Sequence, residues 1–302
     1  MIIARRLSEL AFALCLGLSA LLGASVAQAQ TVTTFAGVSK PYALAFDGAG
    51  DLYVTNYTAN SISKITPAGD VTIFATGVQS PSGLAFDAAG DLYVASLMDG
   101  AIFKFSPAGD FISITGGFNT PIGLAFDAAG DLYVANNGAN TISKVTPAGG
   151  VTTFAIGVNS PTGLAFDAAG DLYVGNRLTD SLSKITPAGA VTPFTTGFNG
   201  PYGLVFDASG DLYVANSDGT SVSKVTPAGI VTPFVTLNRP IGLAFDAAGD
   251  LYVASYAGDS ISKILPAAPA PVPTMTEWAM ILLGALLAGG AALTIHRRRQ
   301  LA

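Results

Sequence analysis

Apolar and polar residues alternate in short runs through the centre of the chain, and turn residues separate the runs. From Pro161 the order is Gly163 to Phe166, Asp-Ala-Ala-Gly, Asp171 to Gly175, a loop over residues 176–180, Ser181 to Thr186, Pro-Ala-Gly, and Val191 to Thr195. Four β-rich runs with turn chemistry between them predict four antiparallel strands. No stretch here keeps a helical period over helical length. The pattern then repeats. Variants of Gly-Leu-Ala-Phe-Asp place a leucine at 44, 84, 124, 164, 204 and 243, spacings of 40, 40, 40, 40 and 39. Four strands per 40 residues is the size of a propeller blade.

The strand count predicts how the ring closes. Runs equivalent to Val191–Thr195 occur at Thr31–Ala36, Val71–Ala75, Phe111–Thr115, Val151–Ala155 and Val231–Val235. The sixth repeat ends at Pro266 with three strands only, and Thr31–Ala36 precedes every repeat. Pairing Thr31–Ala36 with Ser260–Leu265 completes the last blade and removes an exposed edge. The expected fold is all-β: a six-bladed β-propeller of four-stranded blades over residues 30–266, closed by its N-terminal strand.

Composition then excludes several functions. The 302 residues are 50% hydrophobic and 11% charged, against about 25% charged in an ordinary soluble domain. The low charge belongs to the repeats themselves, because residues 31–266 hold 18 acidic and 9 basic side chains, a net −9. Such hydrophobicity excludes global disorder. One cysteine, Cys15, excludes a disulfide scaffold. A net −9 excludes a nucleic-acid partner, since phosphate contacts need clustered Lys and Arg. One histidine, His296, excludes a site built from several.

The two ends carry address information. Arg5 and Arg6, an apolar run from Leu10 to Val26 and Ala27-Gln28-Ala29 read as a signal peptide over residues 1–29. Its partners would be the Sec translocon and signal peptidase. Residues 267–277 form a Pro/Ala linker ending in a polar motif, and residues 278–295 are uncharged and apolar, about the minimum for a transmembrane helix. The basic tail, residues 296–302, contains Arg297, Arg298 and Arg299 and is expected to stay cytoplasmic, with the repeats in the periplasm. Val272-Pro273-Thr274-Met275 and Glu277-Trp278, then the apolar run and arginines, closely resemble the IPTL-type C-terminal sorting signal of Gram-negative bacteria. Val272, Met275 and Thr276 depart mildly from that family's Ile, Leu and Ser. The resemblance implies an exosortase-like membrane protease as partner, cleavage near Pro273 and Thr274, and transfer to the cell surface or release. Permanent anchoring is the alternative.

The repeat Pro-x-Gly-Leu-Ala-Phe-Asp-Ala-Ala-Gly-Asp-Leu-Tyr-Val-Ala-Asn resembles the NHL-repeat family over residues 31–266. The resemblance implies the propeller and leaves function open, since one fold hosts unrelated activities.

Candidate chemistry is sparse. Twelve of the 18 aspartates form six repeated pairs such as Asp47/Asp51 and Asp167/Asp171. They read as Asx turns, with weak Ca2+ binding as the alternative. The repeated lysines, Lys64 to Lys263, are expected to neutralise a neighbouring blade's aspartate or lie along the blade with their heads in water. The loops that differ between blades share one face, where specificity is expected. That face carries Asn56, Tyr57, Asp99, Asn136, Asn176, Arg177, Asp218 and Tyr256 after the second strands, and Lys40 and Arg239 before the first strands. Amides, hydroxyls and a few charges suit sugars or peptides.

The expected function is an exported, surface-sorted binding or structural module for extracellular glycans, peptides or matrix components, with no required cofactor. The alternative is a metal-dependent lactonase- or esterase-like hydrolase. Resemblance to regucalcin and gluconolactonase propellers would imply a divalent ion held by Glu, Asn and Asp. The only glutamates, Glu9 and Glu277, lie outside the repeats. Lyases of similar fold use histidine, and the repeats contain none.

Overall fold

A computed structural model describes residues 30–265, Thr115 apart. The signal peptide, the linker with its sorting motif, the helix expected at 278–295 and the basic tail lie outside the described residues. Among the described residues no helix is long and apolar enough to cross a membrane.

Six four-stranded antiparallel sheets form the blades of a propeller. In the first blade the strands run Pro41–Phe46, Leu52–Asn56, Ser61–Ile65 and Val71–Thr76 from channel to rim. The second strand is buried along its whole length, because neighbouring blades cover both of its faces. This explains why Leu52, Tyr53 and Val54 run consecutively without a polar break. The outermost strand is largely exposed. The last blade is built from both chain ends, in the order Thr31–Gly37, Ser260–Leu265, Leu251–Ser255, Pro240–Phe245. Thr31 pairs with Leu265 and Gly37 with Ser260, the closure anticipated from the strand count.

One aromatic wedge recurs at the seams. Tyr53 meets Phe74 of its own blade edge-on at 5.1 Å and Phe86 of the next blade at 5.0 Å. Tyr173 does the same with Phe194 and Phe206. At the closing seam Tyr252 meets Phe35 of the N-terminal strand and Phe46 of the first blade, both at 5.0 Å. Edge-to-face pairs add roughly 0.5–1.5 kcal/mol each beyond burial, so the closing seam is fastened like the others.

The aspartate pairs are turns. Asp47 Oδ1 accepts hydrogen bonds from the amides of Ala49 and Asp51, both 2.9 Å. The same pattern holds at Asp87, Asp127, Asp167, Asp207 and Asp246. The lysines correct the expectation of partners in a neighbouring blade. Lys64 lies opposite Tyr53 in the register of its own blade. Its ammonium sits 2.7 Å from Asp51 and 5.4 Å from the centre of the Tyr53 ring. Register puts the lysine on the side of its own turn, so the neighbouring blade is out of the arrangement. Each pair exposes its remaining oxygens to an ammonium. Half-exposed ion pairs of this kind add at most about 1 kcal/mol.

The innermost strands converge on the axis, and their third residue decides how closely. A Cβ on Gly163 would lie 2.1 Å from the Tyr202 carbonyl oxygen, and Gly83, Gly123 and Gly203 are equally confined. The first blade has Ala43 instead. There the Ala43 amide donates to the Thr55 hydroxyl at 2.9 Å, which donates to the Ser82 carbonyl at 2.9 Å, so a side chain bridges that seam.

Gly163→Ala is expected to cost about 1–3 kcal/mol by overpacking. Gly48→Ala, with nothing within 4 Å and alanine at the equivalent position of every other blade, is expected to be neutral. Urea unfolding of the two variants checks this, and equal midpoints would contradict it.

Candidate functional site

The two ends of the channel differ. One is ringed by the repeated turns. The other, the loop face, carries the connections that vary between blades. A common backbone frame supports it. The amide of the first loop residue after each second strand donates to the residue preceding the innermost strand: Tyr57 to Lys40 and Tyr256 to Arg239 at 3.1 Å, Arg177 to Ser160 at 3.3 Å. Lys40 and Arg239 reach that position with φ of 47° and 53°, the left-handed region, ahead of Pro41 and Pro240. The frame is uniform; the side chains hung on it are not.

Asn56, Asn136 and Asn176 turn away from this face. They end the second strands and are buried. Asn56 donates to Ser61 and Ser63, Asn136 to Thr141 and Ser143, and Asn176 to Ser183. Asn136 and Asn176 also accept the amides of Asn119 and Asn159. Asn136 and Asn176 thereby lace their blades to the preceding connection, while Asn56 bonds only within its own blade. Asp99 accepts the Ser96 hydroxyl of its own loop at 2.7 Å and the Gln79 amide of the preceding connection at 3.4 Å.

Tyr57, Tyr256, Arg177, Asp218, Lys40 and Arg239 belong to one mouth, with two tyrosines that sequence reasoning missed. Tyr42 and Tyr202 are the second residues of their innermost strands and point across the axis. Their hydroxyls are hydrogen-bonded, although they belong to the first and fifth blades. Tyr42 stacks on Tyr57 at 5.0 Å and 19°. Tyr256, from the sixth blade, meets Tyr42 and Tyr57 edge-on at 6.2 and 6.4 Å. Ile122 and Ile241 pack with Tyr202 beneath this cluster. The signal was available: the x of Pro-x-Gly reads Tyr, Ser, Ile, Thr, Tyr, Ile around the ring, a variable position inside a copied unit.

Behind the tyrosines the channel holds a cavity of about 90 Å³ lined by the innermost strands. Small-molecule sites run to roughly 300–1,000 Å³, so a ligand would rest on the tyrosines. Charges ring them. Arg177 donates to Asp218 through Nε at 3.2 Å and Nη2 at 2.7 Å. Lys40 pairs with Asp259 at 3.3 Å and lies 5.4 Å from the Tyr256 ring centre. Arg239 stacks over the same ring at 4.8 Å.

The sequence from 25 to 272 matches the model of the virginiamycin B lyase family. The chain belongs to that family. Residues 270–300 match the IPTL-CTERM motif, which marks the protein as exported and membrane-sorted. Among solved structures the propeller is similar to a streptogramin B lyase, with 17% identity over 78% of this chain and 97% of the other and a TM-score of 0.65. A catalytically inactive histidine-to-alanine variant of virginiamycin B lyase from Staphylococcus aureus, solved with quinupristin, is 18% identical over 80% and 90% of the two chains, TM-score 0.63. A gluconolactonase from Xanthomonas campestris is 16% identical over 78% and 89%, TM-score 0.71. Likeness at these identities concerns the fold. No curated protein matches the chain.

This family member lacks histidine and glutamate throughout residues 30–265. Among the described residues no three His, Cys, Asp or Glu side chains gather as a metal site. The donor set does not fit the Glu-Asn-Asp site of the gluconolactonase type: the glutamate is missing, Asn56, Asn136 and Asn176 are buried in their blades, and Asp218 and Asp259 hold Arg177 and Lys40. The mouth's resolved titrations lie far from neutrality. Burial pushes the Tyr42 phenol up to about 12. Burial, with the neighbouring Tyr42, also raises Tyr202 well above the ordinary phenol range. The Asp218 hydrogen bonds raise Arg177.

These shifts predict alkaline instability. An unfolded tyrosine ionises near pH 10, while folded Tyr42 keeps its proton until about 12. Its contribution is therefore complete below pH 10 and lost as pH rises from 10 to 12. Hydrogen bonds to their aspartates raise Lys64, Lys104 and Lys144 in the same sense. Unfolding free energy from urea titrations should fall between pH 10 and 12, and fall less in Tyr42→Phe. Parallel profiles for the two proteins would refute the assignment.

Proposed function

We propose that this member of the virginiamycin B lyase family is an exported binding module, whose ligand lies on the tyrosine shelf formed by Tyr42, Tyr57 and Tyr256. One observation carries the reading. In a ring of near-copies, aromatic side chains from adjoining blades converge at a single sector of the loop face and close the channel beneath them. Tyrosine supplies rigid amphipathic contact area at small entropic cost, which suits glycans, peptides or matrix components.

The comparison with lyases supports binding over catalysis. A histidine-to-alanine change accompanies inactivity in the Staphylococcus aureus enzyme. Here the propeller has no histidine to fill such a role. General acid–base work is most efficient with a pKa near the working pH, and Tyr42 sits near 12. The likeness to gluconolactonases keeps a metal-dependent hydrolase as the second reading. It requires a divalent ion in the purified protein and lactone or ester turnover that chelator abolishes.

The export signal delivers the propeller through the Sec translocon and signal peptidase. The C-terminal motif hands it to an exosortase-like protease, which places it at the cell surface or releases it.

Two tests follow. In a glycan and peptide screen, Tyr57→Ala and Tyr256→Ala should each weaken captured ligands about tenfold or more, consistent with aromatic anchors at interface centres. Tyr93→Phe, on the far side of its blade from the mouth, should not; equal effects of all three would count against the shelf. Replacing Pro273 and Thr274 should leave the protein in the inner-membrane fraction, and unchanged release would sink the sorting step.

A further inference from the structure

We infer that the shelf takes a sugar bearing a carboxylate, such as a uronic acid unit of an acidic polysaccharide, with Arg239 holding the carboxylate; this rests on the binding role proposed above.

Charge is divided unequally between the two ends of the ring. The six aspartate pairs, Asp70 and Asp110 share the turn face with the six repeated lysines, 14 acids against 6 bases. The loop face holds Asp99, Asp180, Asp218 and Asp259 against Lys40, Arg177 and Arg239, 4 acids against 3 bases. Nearly all the net −9 therefore lies on the end away from the shelf. An anionic ligand repelled by the protein as a whole meets little net charge at the mouth.

The pairing of cations is more specific. Eight of the nine basic side chains within residues 31–266 have a carboxylate within 3.3 Å: the six repeated lysines, Lys40 and Arg177. Among the described residues Arg239 is the one cation without an ion-pair partner. It is exposed, yet its guanidinium is placed 4.8 Å over the Tyr256 ring. A guanidinium without an ion-pair partner has its N–H donors to offer, and two on one edge match the two oxygens of a carboxylate. Lys40, over the same ring, is already committed to Asp259.

The surface beside Arg239 is aromatic, with the Tyr256 ring set at 64° to that of Tyr57. Tyr57 and Tyr256 are half-buried, each with part of its surface open to solvent. A pyranose offers the complement, a face of C–H groups with hydroxyls around its edge. A uronic acid adds one carboxylate in the plane of that edge. A neutral sugar would use the tyrosines and leave Arg239 without a partner.

Calorimetry of the full purified chain with trigalacturonate and with its methyl ester tests this. The acid should bind about tenfold tighter than the ester at low salt, the range of one charge-assisted bidentate contact. Arg239→Gln should remove that preference, so that acid and ester bind alike, while Tyr57→Ala weakens both and keeps the acid ahead. Equal affinity for acid and ester, or a preference that survives Arg239→Gln, overturns the inference and leaves the binding role standing. Binding of neither also overturns it, and only an empty glycan and peptide screen would then remove the binding role as well.

Discussion

Closure is the constraint on which the rest of this structure depends. Three strands at one end of the chain and a single strand at the other make the sixth blade. The Thr31–Gly37 strand covers the edge that Ser260–Leu265 would otherwise expose, and Tyr252 then finds Phe35 and Phe46 just as Tyr53 finds Phe74 and Phe86. Once six blades close, the radius of the channel is set. Innermost strands approach until a Cβ at Gly163 would strike the Tyr202 carbonyl. A ring so tight leaves about 90 Å³ at its axis, which moves any ligand out of the channel and onto its mouth.

The division between repeated and varied residues follows from this. Turn geometry, wedge aromatics and inward glycines each answer to a neighbour that is itself repeated, so a change in one blade meets resistance from the next. Asp47, Asp51, Lys64 and Tyr53 are linked in one such cluster: the Asp51 amide donates to Asp47, and the Lys64 ammonium sits between Asp51 and the Tyr53 ring. Freedom remains at two positions per blade on the loop face: the second residue of the innermost strand and the first residue after the second strand. Five of these positions are filled by Tyr42, Tyr202, Tyr57, Tyr256 and Arg177.

The fold was almost wholly legible in the sequence because β alternation, turn residues and a 40-residue period all point the same way, and the unpaired strand at Thr31 fixed the closure. The site was legible only in part. Asn56, Asn136 and Asn176 border variable loops and so resembled loop residues. They are the last residues of strands, and their amides point into their own blades. Tyr42 and Tyr202 lie 160 positions apart. Alternation along a strand assigns each a side of its sheet; it carries no information on which innermost residues converge at the axis of a ring. The lysines failed for a related reason. Cross-strand register, which pairs Lys64 with Tyr53, selects the turn they reach, and register is read from the paired strands together.

The same geometry bears on what kind of chemistry the mouth can host. The twelve freely varying positions supply four tyrosines, one arginine, aliphatics and small polar residues, with no carboxylate and no imidazole. The carboxylates of the loop face enter from the connections and are committed there: Asp218 to Arg177, Asp259 to Lys40, Asp180 to the Gly200 amide, Asp99 to Ser96. An acid or base for catalysis would have to be withdrawn from one of these bonds, which position the very loops that form the mouth. Recognition asks for none of that. It uses faces and edges that the folded ring already leaves open, and the stacked, unpaired guanidinium of Arg239 is the most prominent of them.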